Sequence, residues 1–165
     1  AFQHIIVPEI YDALEEVPAG TEGAVEKDGK YYVLPEGSAG HLQEKPCPPN
    51  ADVYHNEFSR LKAVGVEAFC FGHDHMNDFV VDYEGVKLIS TVTAGYSPYP
   101  YTEGTLRGVR VINLKEAGNS VTFDTYMHYY EDSAPEAPEE EKEMNFFERI
   151  IAWFKYIFML FVGQL

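Results

Sequence analysis

The apolar run Val66-Glu67-Ala68-Phe69-Cys70-Phe71 constrains the fold of this chain more than any other stretch. A short apolar run that is rich in aromatic residues and bounded by glycines is typical of a buried strand. The preceding segment is expected to be a helix that begins at an N-cap on Asn50 and ends at Gly65. Its apolar positions follow helical spacing: Val53, Phe58, Leu61 and Val64. The chain therefore enters this strand from a helix.

A second strand and helix precede this pair. The run from Ala1 to Val7 is apolar at its end, and Pro8 favours a helix over residues 9–16 that stops at Pro18. Two such units favour a mostly parallel sheet. Because the chain opens without Met inside an apolar run, we expect further sequence upstream.

The region between the two units is expected to be a long loop that contains one hairpin. Residues 19–50 hold many of the Gly and Pro residues, and Asp28-Gly29 lies between two short apolar segments. An Asp-Gly pair in that setting favours a two-residue hairpin turn. Connections of this length are commonly functional or lid-like.

After Gly72 the pattern changes to strands separated by turns, which predicts antiparallel sheet. The turns are expected at Glu84-Gly85 and Gly118-Asn119, and a Tyr/Pro-rich loop at 93–107 interrupts the series. The predicted strands are 79–83, 86–92, 108–114 and 121–130.

Composition and charge narrow the function class. Hydrophobic residues make up 45% of the 165 residues and aromatic residues 15%, which excludes a disordered chain. The formal net charge is −15, of which −6 lies in residues 131–143, so binding to duplex nucleic acid is disfavoured. Two cysteines, Cys47 and Cys70, are too few for a disulfide framework.

The candidate site begins at Gly72-His73-Asp74-His75, directly after the buried strand. Residues at i and i+2 in extended backbone face the same way, so His73 and His75 can present imidazoles to one small volume. His4 follows the first apolar run, and open parallel sheets place their sites outside the carboxyl ends of strands. Three histidines are therefore expected to converge, with Asp74, Asn77 and Asp78 orienting their rings. Imidazole is a ligand for Zn, Fe, Mn or Cu ions.

The other histidines give weaker evidence of a functional role. His41 and His55 are expected to be solvated, because one lies in a Gly-rich loop and the other on a polar helix face. His128 lies in a late strand and is expected to be structural.

Residues 1 to about 130 resemble the C-terminal half of a calcineurin-like metallophosphoesterase of the purple-acid-phosphatase-like branch. The resemblance is carried by four stretches: Phe2-Gln3-His4-Ile5-Ile6-Val7-Pro8-Glu9, Glu44-Lys45-Pro46-Cys47-Pro48-Pro49-Asn50, Gly72-His73-Asp74-His75-Met76-Asn77-Asp78 and Gly108-Val109-Arg110-Val111-Ile112. It implies an α/β fold, the C-terminal half of a four-layer αββα sandwich, with mostly strands after residue 65.

The resemblance also implies a two-metal site with divalent or trivalent Fe, Mn or Zn and a phosphate-ester substrate. His4 and His73 would ligate one metal and His75 the other. The family further needs an Asp-x-His, a bridging Gly-Asp-x-x-Asp and a Gly-Asn-His that assists the leaving group, and none of these motifs occurs in the 165 residues. No catalytic residue is therefore assigned in this chain, and the missing N-terminal half of the domain is an expected partner.

Two hypotheses about function follow. In the first, the chain is the C-terminal portion of a phosphoesterase that uses metal-activated water and is inactive in isolation. In the second, it is a non-catalytic fragment or a membrane-surface binding module. Sequence ahead of Ala1 that encodes the three missing motifs would distinguish them.

The hypothesis of a membrane-surface binding module depends on the C-terminal segment. Residues 131–143 are expected to be an acidic linker, and residues 144–165 a separate amphipathic helix with a Phe/Ile stripe on one face. Its nearly uncharged stretch is too short for a comfortable span, so it is expected to lie on a membrane surface or to dock on protein. The membrane-facing residues would be Phe147, Ile151, Trp153, Phe154 and Phe158. An extracytoplasmic or membrane-associated location is favoured.

Overall fold

A computed structural model describes residues 1–52, 56–95, 106–118 and 120–130. These residues form a mixed α/β fold, with two short helices and strands arranged in small sheets. The helices are α1 (Ile10–Ala13) and α2 (Glu57–Ala63). The strands are β1 (Glu15–Val17), β2 (Val25–Lys27), β3 (Lys30–Val33), β4 (Ala68–Phe71), β5 (Val80–Tyr83), β6 (Val86–Ser90), β7 (Gly108–Ala117) and β8 (Ser120–Tyr129).

The sheet that positions the candidate site has the order β4-β6-β5. Strand β4 pairs in parallel with β6, with Phe69 opposite Leu88, and β5 pairs antiparallel with β6. The amino-terminal residues extend the sheet on the other side of β4 through a parallel bridge between Phe2 and Cys70. The buried strand predicted at 66–71 is confirmed as β4, which is shorter by two residues.

The two faces of β4 have different neighbours. Phe69 and Phe71 are buried, and the Phe69 ring stacks on Phe58 of α2 with 5.8 Å between centroids. Ala68 and Cys70 point to the other face, where they line a cavity of about 580 Å³ together with Phe2 and Ile112. The alternation of side chains along the strand thus gives β4 one face on the core and one toward β7 and β8.

The mostly parallel sheet expected from the sequence is only partly correct. The parallel pairing of β4 with β6 exists, but β5 and β6 are joined by the two residues Glu84 and Gly85, a connection that only antiparallel strands can make. The antiparallel pairs predicted for the second half are confirmed in β5 with β6 and in β7 with β8. The sequence did not predict that β6 would also pair with β4.

The hairpin predicted at Asp28-Gly29 is confirmed. Lys27 pairs with Lys30, and the two turn residues have φ angles of 53° and 81°. Two successive positive φ angles define the type I′ turn, whose twist matches that of the flanking strands.

The first helix is shorter than predicted. Helix α1 ends at Ala13, whereas the sequence predicted a helix to residue 16. Residues 15–17 instead form β1, in which Glu15 lies opposite Val33 of β3. Pairing with a strand 18 residues away, which local periodicity does not reveal, overrides the helical preference of Glu15 and Glu16.

The second helix begins later than predicted. Helix α2 starts at Glu57 after Asn56, which has a left-handed φ of 75°, and not after Asn50. The Asn50 side chain accepts a hydrogen bond from the amide of Asp52 at 2.8 Å, so it closes a local turn. Gly65 ends the helical segment with a φ of 90°, as predicted. Val53 and His55 lie outside the described residues.

Strands β7 and β8 are tied to the β4-β6-β5 sheet by Arg110. Its guanidinium donates to the carbonyl of Ser90 from Nη2 at 2.8 Å and to the carbonyl of Asp78 at 2.5 Å. Burial lowers the pKa of Arg110, and the nearby Asp78 carboxylate opposes that shift. Arg110 therefore connects the end of β6 and the segment before β5 to β7.

The predictions for the C-terminal part lie outside the described residues. These are the acidic linker at 131–143, the helix at 144–165 and the membrane-facing Phe147, Ile151, Trp153, Phe154 and Phe158, all of which stay predictions. Neither helix in the described part of the chain has the length and apolar character needed to cross a membrane.

We expect the two free cysteines to differ in reactivity. Cys47 is exposed, whereas Cys70 is half-buried in β4 and burial raises the pKa of its thiol. Since the thiolate is the reactive form, Cys47 should react with an aromatic disulfide about tenfold faster or more. Absorbance of the released thiol in the wild type and in Cys47→Ser measures this. Loss of only the slow phase in Cys47→Ser would contradict the assignment.

Candidate metal centre

His4 and His73 follow two neighbouring parallel segments of the sheet. The amide of Gln3 donates to the carbonyl of Cys70 at 3.0 Å, and the amide of Gly72 donates to the carbonyl of His4 at 3.2 Å. Both histidines therefore lie at the edge where these parallel segments end, which is the position expected from the sequence.

The two imidazole rings are in contact although 69 positions separate them in the chain. Nε2 of His4 lies 3.1 Å from Nδ1 of His73, and the rings are nearly perpendicular, with 4.9 Å between centroids. Two nitrogens that bind one Zn²⁺ at about 2.0–2.1 Å lie about 2.9 Å apart at a right angle and about 3.4 Å apart at the tetrahedral angle. The observed separation lies between these values. It also suits a hydrogen bond between two neutral rings, one donating and the other accepting.

His75 is held separately. Its carbonyl accepts a hydrogen bond from the amide of Thr93 at 2.8 Å, and its Nδ1 is buried. Across residues 1–52, 56–95, 106–118 and 120–130, no group of three or more His, Cys, Asp or Glu side chains is arranged to hold a metal ion. The structure thus brings together His4 and His73, and a ligand role for His75 stays a prediction.

Asp74 lies between the two histidines of the motif and is buried. Its Oδ1 accepts a hydrogen bond from the amide of Cys47 at 3.0 Å, whereas its Oδ2 is buried and has no hydrogen-bond partner among the described residues. Burial raises the pKa of the carboxyl group, and the neighbouring Glu44 acts in the same direction. The Cys47 amide, His73 and His75 oppose that shift. The motif therefore holds an incompletely satisfied carboxyl group beside His73.

The loop at 39–47 lies along residues 74–80. Ala39 forms a bridge with Val80, and Asn77 accepts hydrogen bonds at its Oδ1 from the amides of Gln43 and Glu44, at 2.9 and 3.0 Å. The Asn77 amide group donates to the carbonyl of Glu44 at 2.9 Å. The other end of the loop is fixed by the Tyr11 hydroxyl, which donates to the carbonyl of Pro46 at 2.6 Å. This part of the long predicted loop is thus firmly attached to the histidine motif.

The described hydrogen bonds of Asn77 and Asp78 do not involve His4, His73 or His75, and their role in orienting these rings stays a prediction. The sequence predicts that both orient the histidine rings of the site, but their hydrogen bonds go elsewhere. Asn77 binds the backbone of residues 43 and 44, and Asp78 binds His41 and Tyr129. The physical reason is the burial of Asn77 and Asp78 themselves, because fully buried polar side chains need hydrogen-bond partners and the adjacent loop supplies them.

His41 was missed by the sequence analysis, which expected it to be solvated. Its side chain is 53% exposed, yet its Nδ1 lies 3.1 Å from Oδ1 of the fully buried Asp78. The pairing joins residues 37 positions apart, and an isolated histidine in a Gly-rich loop gives no signal of it. The one available hint was Gly40, which permits the close approach that this pairing needs. His128, in contrast, lies on β8 as expected and is exposed.

Comparison of the chain with protein-family models, with curated proteins and with solved structures found no match.

Proposed function

We propose that this chain is the C-terminal portion of a metal-dependent phosphoesterase of the metallophosphoesterase sandwich type. The observation that carries the proposal is the contact between His4 and His73 at the ends of adjacent parallel segments. The rest of the support comes from the sequence motifs that contain these two histidines. In this proposal His4 and His73 ligate one metal ion, and His75 ligates a second.

The residues fit part of such a site. The nitrogens of His4 and His73 have the separation that two ligands of one ion require, and His4 is exposed while His73 is half-buried, so an ion can reach the pair from solvent. Asp74 adds, in the same motif, a buried carboxylate oxygen that accepts no hydrogen bond from the part of the chain that the structure describes. A bound metal pair would lower the pKa of a bound water molecule and neutralise the charge on the phosphoryl oxygens. This chain's own contribution is to hold the two imidazoles against one another through the backbone ladder between residues 1–4 and β4.

The remaining ligands are not encoded in this chain. A bridging carboxylate and an Asn ligand belong to the motifs that the sequence lacks, and we propose that the N-terminal half of the domain supplies them. The substrate class in this proposal is a phosphate ester. In this proposal the residues of the N-terminal half determine whether the substrate is a monoester or a diester.

Zinc binding by the full chain tests the proposal. Isothermal titration should show one site whose affinity falls about tenfold or more in His73→Ala, because removing one ligand costs more than removing the group that orients it. His4→Ala should have the same effect, which guards against a folding defect that is specific to one variant. An unchanged affinity in both variants would contradict the proposal.

The matched control is His128→Ala. His128 is exposed on β8 and makes no side-chain hydrogen bond within the described residues, so its loss should leave the affinity unchanged. This control also separates the site from diffuse binding to the acidic residues at 131–143, which all three variants retain. A fall in affinity in His128→Ala equal to that in His73→Ala would mean that the zinc is bound without a defined site.

A further inference from the structure

The pair formed by His41 and Asp78 has the geometry of a proton-transfer dyad. Oδ1 of Asp78 lies 3.1 Å from Nδ1 of His41 and accepts a hydrogen bond from the His41 amide at 2.6 Å. The carboxylate is fully buried, whereas more than half of the imidazole is exposed. The ring thus joins a buried acceptor to the solvent.

The Asp78 carboxylate accepts from two described groups and faces a third. The hydroxyl of Tyr129 donates to Oδ2 and the amide of His41 donates to Oδ1, and Nδ1 of the His41 ring faces the same Oδ1. The Arg110 guanidinium binds the Asp78 carbonyl and lies near enough for the carboxylate to affect its pKa. An ionised carboxylate accepts but does not donate, so a hydrogen bond between it and the His41 ring requires the proton on Nδ1.

This arrangement favours one tautomer of His41. An Nδ1–H that donates to the carboxylate leaves the lone pair of the ring on Nε2. Nε2 is therefore the nitrogen available to a ligand at the exposed part of the ring. The close approach of the loop backbone to Asp78 requires a glycine at position 40. A Cβ on Gly40 would lie 2.4 Å from the Asp78 carbonyl oxygen and 2.9 Å from Oδ1. Gly40 also has a φ of 82°, in the left-handed region that favours glycine.

We propose that His41 is a proton-transfer residue, with Asp78 as the positioning residue that sets its tautomer. The donor is a water molecule or a hydroxyl group of a ligand. Its proton moves to Nε2, the electron pair of the broken O–H bond stays on oxygen, and the positive charge of the resulting imidazolium faces Asp78. No other reactant is needed.

The location of the dyad connects it to the candidate metal centre. The three residues from His75 to Asp78 can span at most about 10 Å of backbone, so His41 is attached close to the histidine motif. Its role as the proton carrier for phosphate-ester hydrolysis rests on the proposed function. The proton-transfer chemistry of His41 does not rest on the proposed function, because it can be measured without metal.

The test is the reaction of each histidine with diethyl pyrocarbonate in the full, metal-free chain, followed by peptide mass spectrometry. At about pH 7.5 ordinary histidines are mostly neutral. Both acylation and proton uptake at Nε2 place positive charge on the ring, and the Asp78 carboxylate stabilises that charge. His41 should therefore react about threefold faster or more than His128, the exposed histidine of β8.

Asp78→Asn separates a chemical role from simple anchoring of the loop. The amide can still hydrogen-bond to His41, but it carries no charge, so the rate at His41 should fall by about threefold or more toward that of His128. An anchoring role alone predicts equal rates at His41 in the wild type and in the variant. Equal rates in the two proteins would overturn the proposal.

Two measurements keep the proposal falsifiable if Asp78→Asn fails to fold. The comparison of the reaction rates of His41 and His128 needs only the wild type. The second measurement is the tautomer of His41 in the wild type, which long-range ¹H–¹⁵N NMR determines directly. Protonated Nε2 in neutral His41 would overturn the proposal. Tyr129→Phe should retain the Nδ1–H tautomer, because Oδ1 keeps its contact with the ring. Reactive His41 in a chain whose zinc affinity is unchanged by both His73→Ala and His4→Ala would reject the phosphoesterase function and support the dyad.

Discussion

Replacing Asn77 by alanine is expected to lower the free energy of unfolding by about 3 kcal/mol, because each of its three hydrogen bonds contributes about 1 kcal/mol. Asn77 is fully buried and makes three hydrogen bonds, to the amides of Gln43 and Glu44 and to the carbonyl of Glu44. Alanine fills none of these roles, and it leaves backbone groups of the 39–47 loop without partners. Urea denaturation followed by circular dichroism measures the change.

Asn113→Ala is the matched control for this prediction. Asn113 lies on β7, is exposed and, within the described residues, makes a single side-chain hydrogen bond, to Oδ1 of Asp124 at 2.8 Å. Exposed substitutions of this kind usually change stability by less than about 0.5 kcal/mol. Similar losses in the two variants would mean that Asn77 does not hold the loop in place.

The parts of the fold that the sequence predicted well are those encoded by neighbouring residues. The Asp28-Gly29 pair specifies its own turn, because both residues tolerate positive φ angles, and Glu84-Gly85 forms the turn between β5 and β6 in the same way. Strand β4 is recognisable because Phe69 and Phe71 must both be buried against the same core. In each case the determining interactions lie within a few positions of the pattern.

The parts that the sequence missed depend on contacts between distant segments. Strand β1 exists because Glu15 and Val17 pair with β3, and the parallel pairing of β4 with β6 joins residues nearly 20 positions apart. The same holds for the candidate site. The contact between His4 and His73 could be expected because both follow sheet segments, whereas the contact of His41 with Asp78 depends on how a long loop docks.

Asn77 and Asp78 show why a motif predicts position better than role. Their place directly after His73 and His75 suggested that they orient the rings of the site. Their described hydrogen bonds go to other groups, because fully buried polar side chains need partners and take those that lie beside them. In this fold those partners include backbone groups of residues 41–44.

The chain by itself is expected to show no phosphatase turnover in the ordinary enzyme range of about 1–1,000 per second. In the proposed phosphoesterase, activated water requires two metals held at a fixed separation of about 3.5–4 Å, and the Gly-Asp-x-x-Asp motif that would bridge them does not occur in the 165 residues. The contact between His4 and His73 supplies at most two ligands of one ion. Hydrolysis of an aryl phosphate by the purified chain, with Mn, Fe or Zn added, measures this directly.

The decisive control is the dependence of any residual hydrolysis on His73. A contaminating phosphatase, or metal ions in solution, would give the same rate with the wild type and with His73→Ala. Turnover in the ordinary range that disappears in His73→Ala would instead show that the residues present build a complete catalytic centre. In that case the missing motifs would be dispensable, and the inference that this chain carries half of a two-metal site would be wrong.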